Sequence, residues 1–240
     1  MTICFISGRM VVGQYVLEWS RYRIQKQIEE EIVELRELVT RELLGELSSE
    51  SVRPNEPVKV WSFPKPWLLL GSGNYAAVFS HPDFEHYAVK IYAPGRPGLK
   101  EEAEVYKRLG DHPAYSICYY VGTDFLILKR LNGITFYECI KKGICVTEQA
   151  IQDIDGALEY ACSRELRPHD VHGKNIMIKD GRGLVVDVSD FLKQDDCNMW
   201  DDFKIAYYSL YRPITSIWLF PVPGAVLEAV RKGYQLWRGR

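Results

Sequence analysis

The sequence predicts an α+β chain in which a helical stretch is followed by strands and then mainly by helices. Three observations predict it. From Tyr22 to about Glu50 the chain is highly charged, free of Pro, and free of Gly until Gly45. Within that span Ile24, Ile28, Ile32, Leu35, Val39 and Leu43 recur at three- and four-residue steps, which is one apolar stripe of a helix. Between Val58 and Leu128 come short apolar runs broken by Gly, Pro and Asp, the pattern of strands and turns. Beyond Gly133 the spacing is mostly helical again, as in Ile151, Ile154, Leu158 and Ala161.

At 240 residues the chain has room for one large domain or two small lobes, and 47% hydrophobic residues suffice for a real core. A formal net charge of −2 offers no basic excess to neutralise phosphates, so nucleic acid is not the expected partner. The six cysteines form no CxxC pair and no zinc spacing, which points to free thiols in a reducing compartment. Met1 to Ile6 lacks a basic start, and Arg9, Gln14 and Glu18 interrupt the apolar residues after it, so neither a secretory signal nor a spanning helix is expected. The cytoplasm is the expected location, with no membrane contact.

The N-terminal helix is expected to pack against its own chain, with a partner helix or a coiled-coil homodimer contact as the sharper alternative. Ser48 to Pro57 reads as a linker with helix-stopping prolines. Val58, Val60 and Trp61 lead into strand chemistry, and Trp67-Leu68-Leu69-Leu70 reads as a buried strand. Gly71-Ser72-Gly73 and a returning strand Ala77-Val78-Phe79 follow, then Tyr87-Ala88-Val89-Lys90-Ile91-Tyr92, a strand with one lysine on its buried side. Pro97 to Lys100 opens a helix that Gly110 ends. On it Glu102 shares a face with Val105, Tyr106 and Leu109, while Glu101 is expected in solvent.

Two strands, Ile117–Val121 and Phe125–Leu128, precede an extended connector at Lys129 to Gly133. Ile134 to Lys142 is predicted as a short helix, and Thr147 as the N-cap of a longer one through Ser163. Met199 to Tyr211 suggests one helix and Val222 to Trp237 the last.

The chemistry concentrates in Arg167-Pro168-His169-Asp170-Val171-His172-Gly173-Lys174-Asn175. The runs Ile176-Met177-Ile178 and Leu184-Val185-Val186 read as two strands around the turn residues Lys179-Asp180-Gly181-Arg182-Gly183. Asn175 enters one strand and Asp187 leaves the other, so a hairpin brings an amide oxygen beside a carboxylate. That is a hard oxygen site of the kind Mg²⁺ takes, with phosphate oxygens completing it. Asp170 is then available to orient or deprotonate a hydroxyl.

His169-Asp170, Asn175 and Asp187 resemble the catalytic loop and metal-binding Asp of the protein-kinase-like superfamily. The likeness runs over about residues 67 to 192 and is nearest to small bacterial serine/threonine-kinase-like proteins with a truncated C-lobe. It departs where His169 replaces Arg, where Asp187-Val188-Ser189 replaces Asp-Phe-Gly, and where His172 stands in place of the usual Lys. Only Ser189 to about Asn198 is available as an activation segment, and no Ala-Pro-Glu follows.

The resemblance implies a bilobal fold with a β-rich N-lobe and hinge at 57–133, a reduced helical C-lobe at 134–240, and a helical extension and linker at 1–56. It implies ATP and Mg²⁺ bound between the lobes. Gly71, Ser72, Gly73, Val78, Ala88, Lys90, Leu128, Lys129 and Leu131 would meet the nucleotide, and Asn175 and Asp187 the metal. Lys90, paired with Glu102 (Glu104 being the runner-up), would hold phosphates, with Asp170 as the acceptor-orienting carboxylate and His172 and Lys174 as further catalytic candidates. His169, and Asp201 or Asp202, would brace the loop. The implied activity is transfer of the γ-phosphate to a protein Ser/Thr hydroxyl. The alternatives are a small-molecule kinase of aminoglycoside or choline kinase type, suggested by His172, and a non-catalytic nucleotide-binding scaffold.

Overall fold

Ile32, Leu35, Val39 and Leu43 are buried along one side of the N-terminal helix, as their spacing requires. The computed structural model describes residues 7–51, 53 and 56–237, and of residues 7–17 and 235 the backbone alone. The readings made on Met1 to Ile6, and on Val52, Pro54 and Asn55 of the predicted linker, lie outside the described residues. The chain divides into two units, one of residues up to 95 with 122–127, the other of residues 96–121 with those from 128 onward.

In the first unit α1 (Ser7–Leu38) is longer than the stripe predicts, and it runs into a π-helical turn (Val39–Leu43) and the short α2 (Leu44–Glu46). Tyr87 Oη donates to Glu31 at 2.7 Å, tying α1 to the strand that carries Lys90. Packing in cis therefore accounts for the second half of the stripe, whereas Ile24 is exposed.

The predicted helix end and linker are corrected at Ser48. β1 (Ser48–Glu50) pairs antiparallel with β2 (Lys59–Ser62). Polar Ser-Ser-Glu shows no apolar alternation, so only the backbone ladder reveals it as a strand.

Next come β3 (Leu68–Ser72), β4 (Ala76–Ser80) and β5 (Tyr87–Tyr92), consecutive antiparallel neighbours of one sheet. The buried strand expected at Trp67 to Leu70 is also corrected. Trp67 is buried, but Leu68, Leu69 and Leu70 are exposed, because β3 is the edge of that sheet. β5, in contrast, is buried at all six positions.

The second unit opens with α3 (Leu99–Leu109), whose buried residues are Glu102, Val105, Tyr106 and Leu109, the face read from spacing. β6 (Cys118–Val121) follows, and β7 (Phe125–Lys129) returns the chain to this unit at Leu128. Ile134-Thr135 forms a two-residue strand, β8, rather than the first turn of the helix predicted there. Thr135 then caps α4 (Phe136–Lys142) by accepting from Glu138 N–H. Thr147 caps α5 (Glu148–Ser163) in the same way, as expected.

β9 (Ile176–Lys179) and β10 (Arg182–Val185) pair with Val185 opposite Ile176, and β8 adds to β9. The two residues between them, Asp180 and Gly181, have φ of 52° and 78°, a type I′ turn built on Asp-Gly. A Cβ on Gly183 would run into the Ala150 carbonyl and the Ile154 side chain, so glycine sets how closely α5 lies on β10. Asp153 of α5 seals that contact by accepting from Arg182 Nε at 2.6 Å, Arg182 Nη2 at 2.8 Å and Gly183 N–H at 3.0 Å.

The single helix expected from Met199 to Tyr211 is α6 (Met199–Ala206), a π-helical turn (Tyr207–Tyr211) and α7 (Arg212–Thr215). α8 (Gly224–Trp237) is the last described element. No helix of the described residues is long and apolar enough to cross a membrane.

Candidate functional site

The loop between α5 and β9 holds its central aspartate in a conformation that few side chains adopt. Asp170 has φ of 57°, a left-handed backbone that Asp tolerates better than most residues and that clusters at functional sites. Side chains hold both of its backbone polar groups: Asp170 N–H donates to Cys197 Sγ at 3.4 Å, and Asp170 C=O accepts from Asn175 Nδ2 at 3.0 Å. Asn175 N–H closes a turn on the His172 carbonyl at 2.8 Å.

Asn175 and Asp187 sit at the open end of the β9–β10 hairpin, as the sequence predicts. Val186 N–H donates to Asn175 C=O at 2.9 Å, which leaves Asp187 one residue beyond that bridge. Because the Asn175 NH₂ group faces a carbonyl, its amide orientation follows, and Oδ1 accepts nothing from the described residues. Asp187 Oδ1 accepts from Ser189 N–H at 3.0 Å. Among the described residues no group of three or more His, Cys, Asp or Glu side chains could hold a metal. An amide oxygen with one carboxylate instead suits Mg²⁺, which takes one or two protein oxygens beside phosphate and water.

Burial raises the pKa of Asp170, and the Asp190 and Asp187 charges push the same way, while His172 and His169 oppose. His172 Nδ1 accepts from Lys174 N–H at 3.2 Å, so the proton of the neutral ring is on Nε2, 3.8 Å from Asp170 Oδ1. Lys174 turns to α8. Its Nζ is 2.9 Å from Glu228 Oε1 and 4.6 Å from the Tyr137 ring centroid. Lys174 and Arg231 together hold the Glu228 carboxyl at about 2. His169 Nδ1 lies 4.0 Å from Asp190 Oδ2, and Asp190 in turn takes Lys193 at 2.8 Å. Of the two candidate bracing acids, Asp202 accepts from Tyr234 Oη and Asp201 pairs with Lys204.

In the first unit, Gly71 stands opposite Val78 and Val78 opposite Lys90. Directly opposed residues share a sheet face, and Ala88 lies two residues from Lys90, so four of the predicted nucleotide residues line one face. Lys90 is buried there, with Nζ 5.9 Å from the centroid of the Tyr92 ring. A Cβ at Gly71 would meet nothing within 4 Å and its φ is not left-handed, so the fold itself does not require glycine at this position. Ser72 pairs with Ala77 and points to the other face. Gly73 N–H donates to Ala76 C=O at 2.8 Å, which commits that amide to the turn and leaves Asn74 and Tyr75 at its tip.

In the second unit Leu128 is buried, and both backbone groups of Lys129 have partners: N–H to Ile117 C=O at 2.8 Å, and C=O from Ser116 Oγ at 2.7 Å. Leu131 has no such bonds among the described residues. Glu102 is fully buried in the first turn of α3.

Sequence reasoning missed Asp190, Cys197, Tyr137 and Glu228. Asp190 lies three residues from Asp187, and a run of acids near a metal-type Asp is a signal that could have found it. The others reach the loop from distant elements and leave no spacing to read.

No family model matches the chain. It is 34% identical over 168 residues to "Putative serine/threonine-protein kinase YrzF" of Bacillus subtilis (strain 168), an alignment covering 68% of this chain and 76% of that protein. Among solved structures it is similar to the Mycobacterium tuberculosis PknI kinase domain, at 24% identity and TM-score 0.40. That match covers 50% of this chain and 57% of that one. A structure of Rad53 residues 1–466 in complex with AMP-PNP is similar at 23% identity and TM-score 0.42, covering 50% of this chain and 36% of that one. The chain thus spans less than two thirds of either solved chain. On the relationship to the Bacillus protein, the chain belongs to the protein-kinase-like superfamily.

Proposed function

We propose that this protein is an ATP- and Mg²⁺-dependent kinase that transfers the γ-phosphate to a protein Ser/Thr hydroxyl. The observation that carries the reading is the Asn175 amide, whose NH₂ group is fixed on Asp170 C=O while its oxygen accepts nothing from the described residues. Asn175 Oδ1 and the Asp187 carboxylate are the metal ligands. Magnesium there would neutralise phosphate charge during transfer. Asp170 orients the acceptor hydroxyl, and its raised pKa suits a carboxylate that takes a proton. His172, with Nε2–H toward Asp170, steadies that carboxylate.

Lys90 is the phosphate lysine, and Glu102 the helix-borne carboxylate of the family motif. Gly71, Val78 and Ala88 receive the nucleotide on the Lys90 face. In the connector the Leu131 backbone and the second lone pair of the Lys129 carbonyl hydrogen-bond the base, since Lys129 N–H is already committed to Ile117 C=O. Lys174, engaged by Glu228, positions the loop. The relative's printed name, a serine/threonine-protein kinase, supports the choice of acceptor class. Residues 57–133 and 134–240 remain our assignment of the functional lobes.

ATP titration with and without Mg²⁺ tests the metal assignment. Wild type is expected to bind more tightly with Mg²⁺, and Asp187→Asn to lose that gain while keeping its metal-free affinity. The same gain in the variant would contradict the assignment.

A further inference from the structure

α8 is amphipathic with its polar side turned inward. Glu228 and Tyr234 face the body of the second unit, where they meet Lys174 and Asp202. The segment before the helix is fixed as well: Val222 N–H donates to Ile140 C=O at 3.1 Å, and a Cβ on Gly143 would lie 2.9 Å from the Phe220 carbonyl carbon. The opposite side carries Val226, Ala229, Val230, Gly233, Leu236 and Trp237, an apolar stripe at helical spacing. Val230 is 65% and Trp237 72% exposed, and Ile217 and Trp218, just before the helix, are 89% and 73% exposed. Stripes of this kind ordinarily face a core or a partner.

Charge decides between the possible occupants. From Phe203 onward the sequence has six basic residues and one acidic residue, Glu228, although the whole chain is net acidic. Four of the six, Arg231, Lys232, Arg238 and Arg240, fall within ten residues around Trp237. Glu228 already takes Lys174 and Arg231. Two copies meeting through this stripe would bring like charges together, which is unfavourable. An anionic lipid surface matches both features, because apolar and Trp side chains enter the interface while Lys and Arg meet the headgroups.

We propose that the Ile217–Trp218 segment and the outward face of α8 form a peripheral docking surface for an anionic lipid bilayer. The helix lies on the bilayer rather than crossing it, in keeping with the absence of a spanning helix among the described residues. The proposal is independent of the phosphoryl-transfer reading.

The test is co-sedimentation of the full chain with phosphatidylcholine vesicles, with and without phosphatidylglycerol, at low and high salt. Binding is expected to phosphatidylglycerol vesicles, to weaken with salt, and to be minor on phosphatidylcholine alone. Val230→Glu, at an exposed position, is expected to keep the wild-type melting temperature and lose binding at least about tenfold. Lys232→Ala is expected to weaken binding about fivefold. Failure of wild type to bind phosphatidylglycerol vesicles would overturn the proposal, as would equal binding by Val230→Glu. A concentration-dependent dimer that Val230→Glu dissociates, without vesicle binding, would assign the face to a second copy and overturn it too.

Discussion

Asn175 Nδ2 donates to the main-chain carbonyl of Asp170 at 3.0 Å, a bond between the two loop residues for which we propose the metal-ligand and acceptor-orienting roles. It ties the Asn175 side chain to the left-handed backbone of Asp170 and leaves the Asn175 oxygen without a partner among the described residues. Asn175→Asp separates these effects. An oxygen ligand remains but the donor is gone, so Mg²⁺ binding is expected to persist while stability falls by about 1 kcal/mol. Turnover is expected to drop with it. Thermal melts and Mn²⁺ or Mg²⁺ titration measure the two parts, and unchanged stability would show that the bond does not hold the loop.

Gly71 separates fold from function in the first unit. A Cβ there meets nothing, so Gly71→Ala is expected to change stability by less than about 0.5 kcal/mol. If the backbone must approach a polyphosphate, nucleotide affinity falls about tenfold. Unchanged affinity by calorimetry would remove Gly71 from the site.

Gly183 makes the opposite prediction. Its missing Cβ is what lets α5 lie on β10, so Gly183→Ala is expected to cost about 1–3 kcal/mol by overpacking. Denaturant midpoints check this, and a neutral result would mean that the Ala150 carbonyl moves aside freely.

Asp153 gives a pH signature. Arg182 holds its carboxyl at about 2, below the ordinary 3.8. A depressed folded value stabilises the protein above the unfolded value, and that contribution is lost as pH falls through about 2. Melting temperatures taken from about pH 5 down to about pH 2 should therefore fall more steeply for wild type than for Asp153→Asn. Parallel slopes would mean that the Arg182 fork contributes little.

Where local chemistry decided the outcome, the sequence was legible. Asp180-Gly181 specifies its turn, Thr147 is the helix cap that its position predicts, and the spacing of Glu102 with Val105, Tyr106 and Leu109 identifies a buried face, whereas the Thr135 cap is hidden by the strand before it. Where a neighbour decided, it was not. Leu68 to Leu70 look like core but lie on an edge strand, and Ser48 to Glu50 look like linker but complete a ladder. The candidate site divides the same way. Asp170, Asn175 and Asp187 occupy one short loop and hairpin and could be read together. Cys197 and Glu228 reach it only through folding, and Lys174, legible as a cation, gave no hint that an acid from α8 would take it.

The central claim is that Asp170 serves phosphoryl transfer. The most direct measurement is Mg²⁺-dependent transfer from γ-labelled ATP to a protein Ser/Thr acceptor, with autophosphorylation read by intact mass, for wild type and Asp170→Ala. The account predicts transfer by wild type and a loss of about 10²–10⁴-fold in the variant, with nucleotide affinity retained. Equal transfer by Asp170→Ala would contradict it, as would nucleotide binding by wild type without transfer to itself or to any Ser/Thr protein supplied.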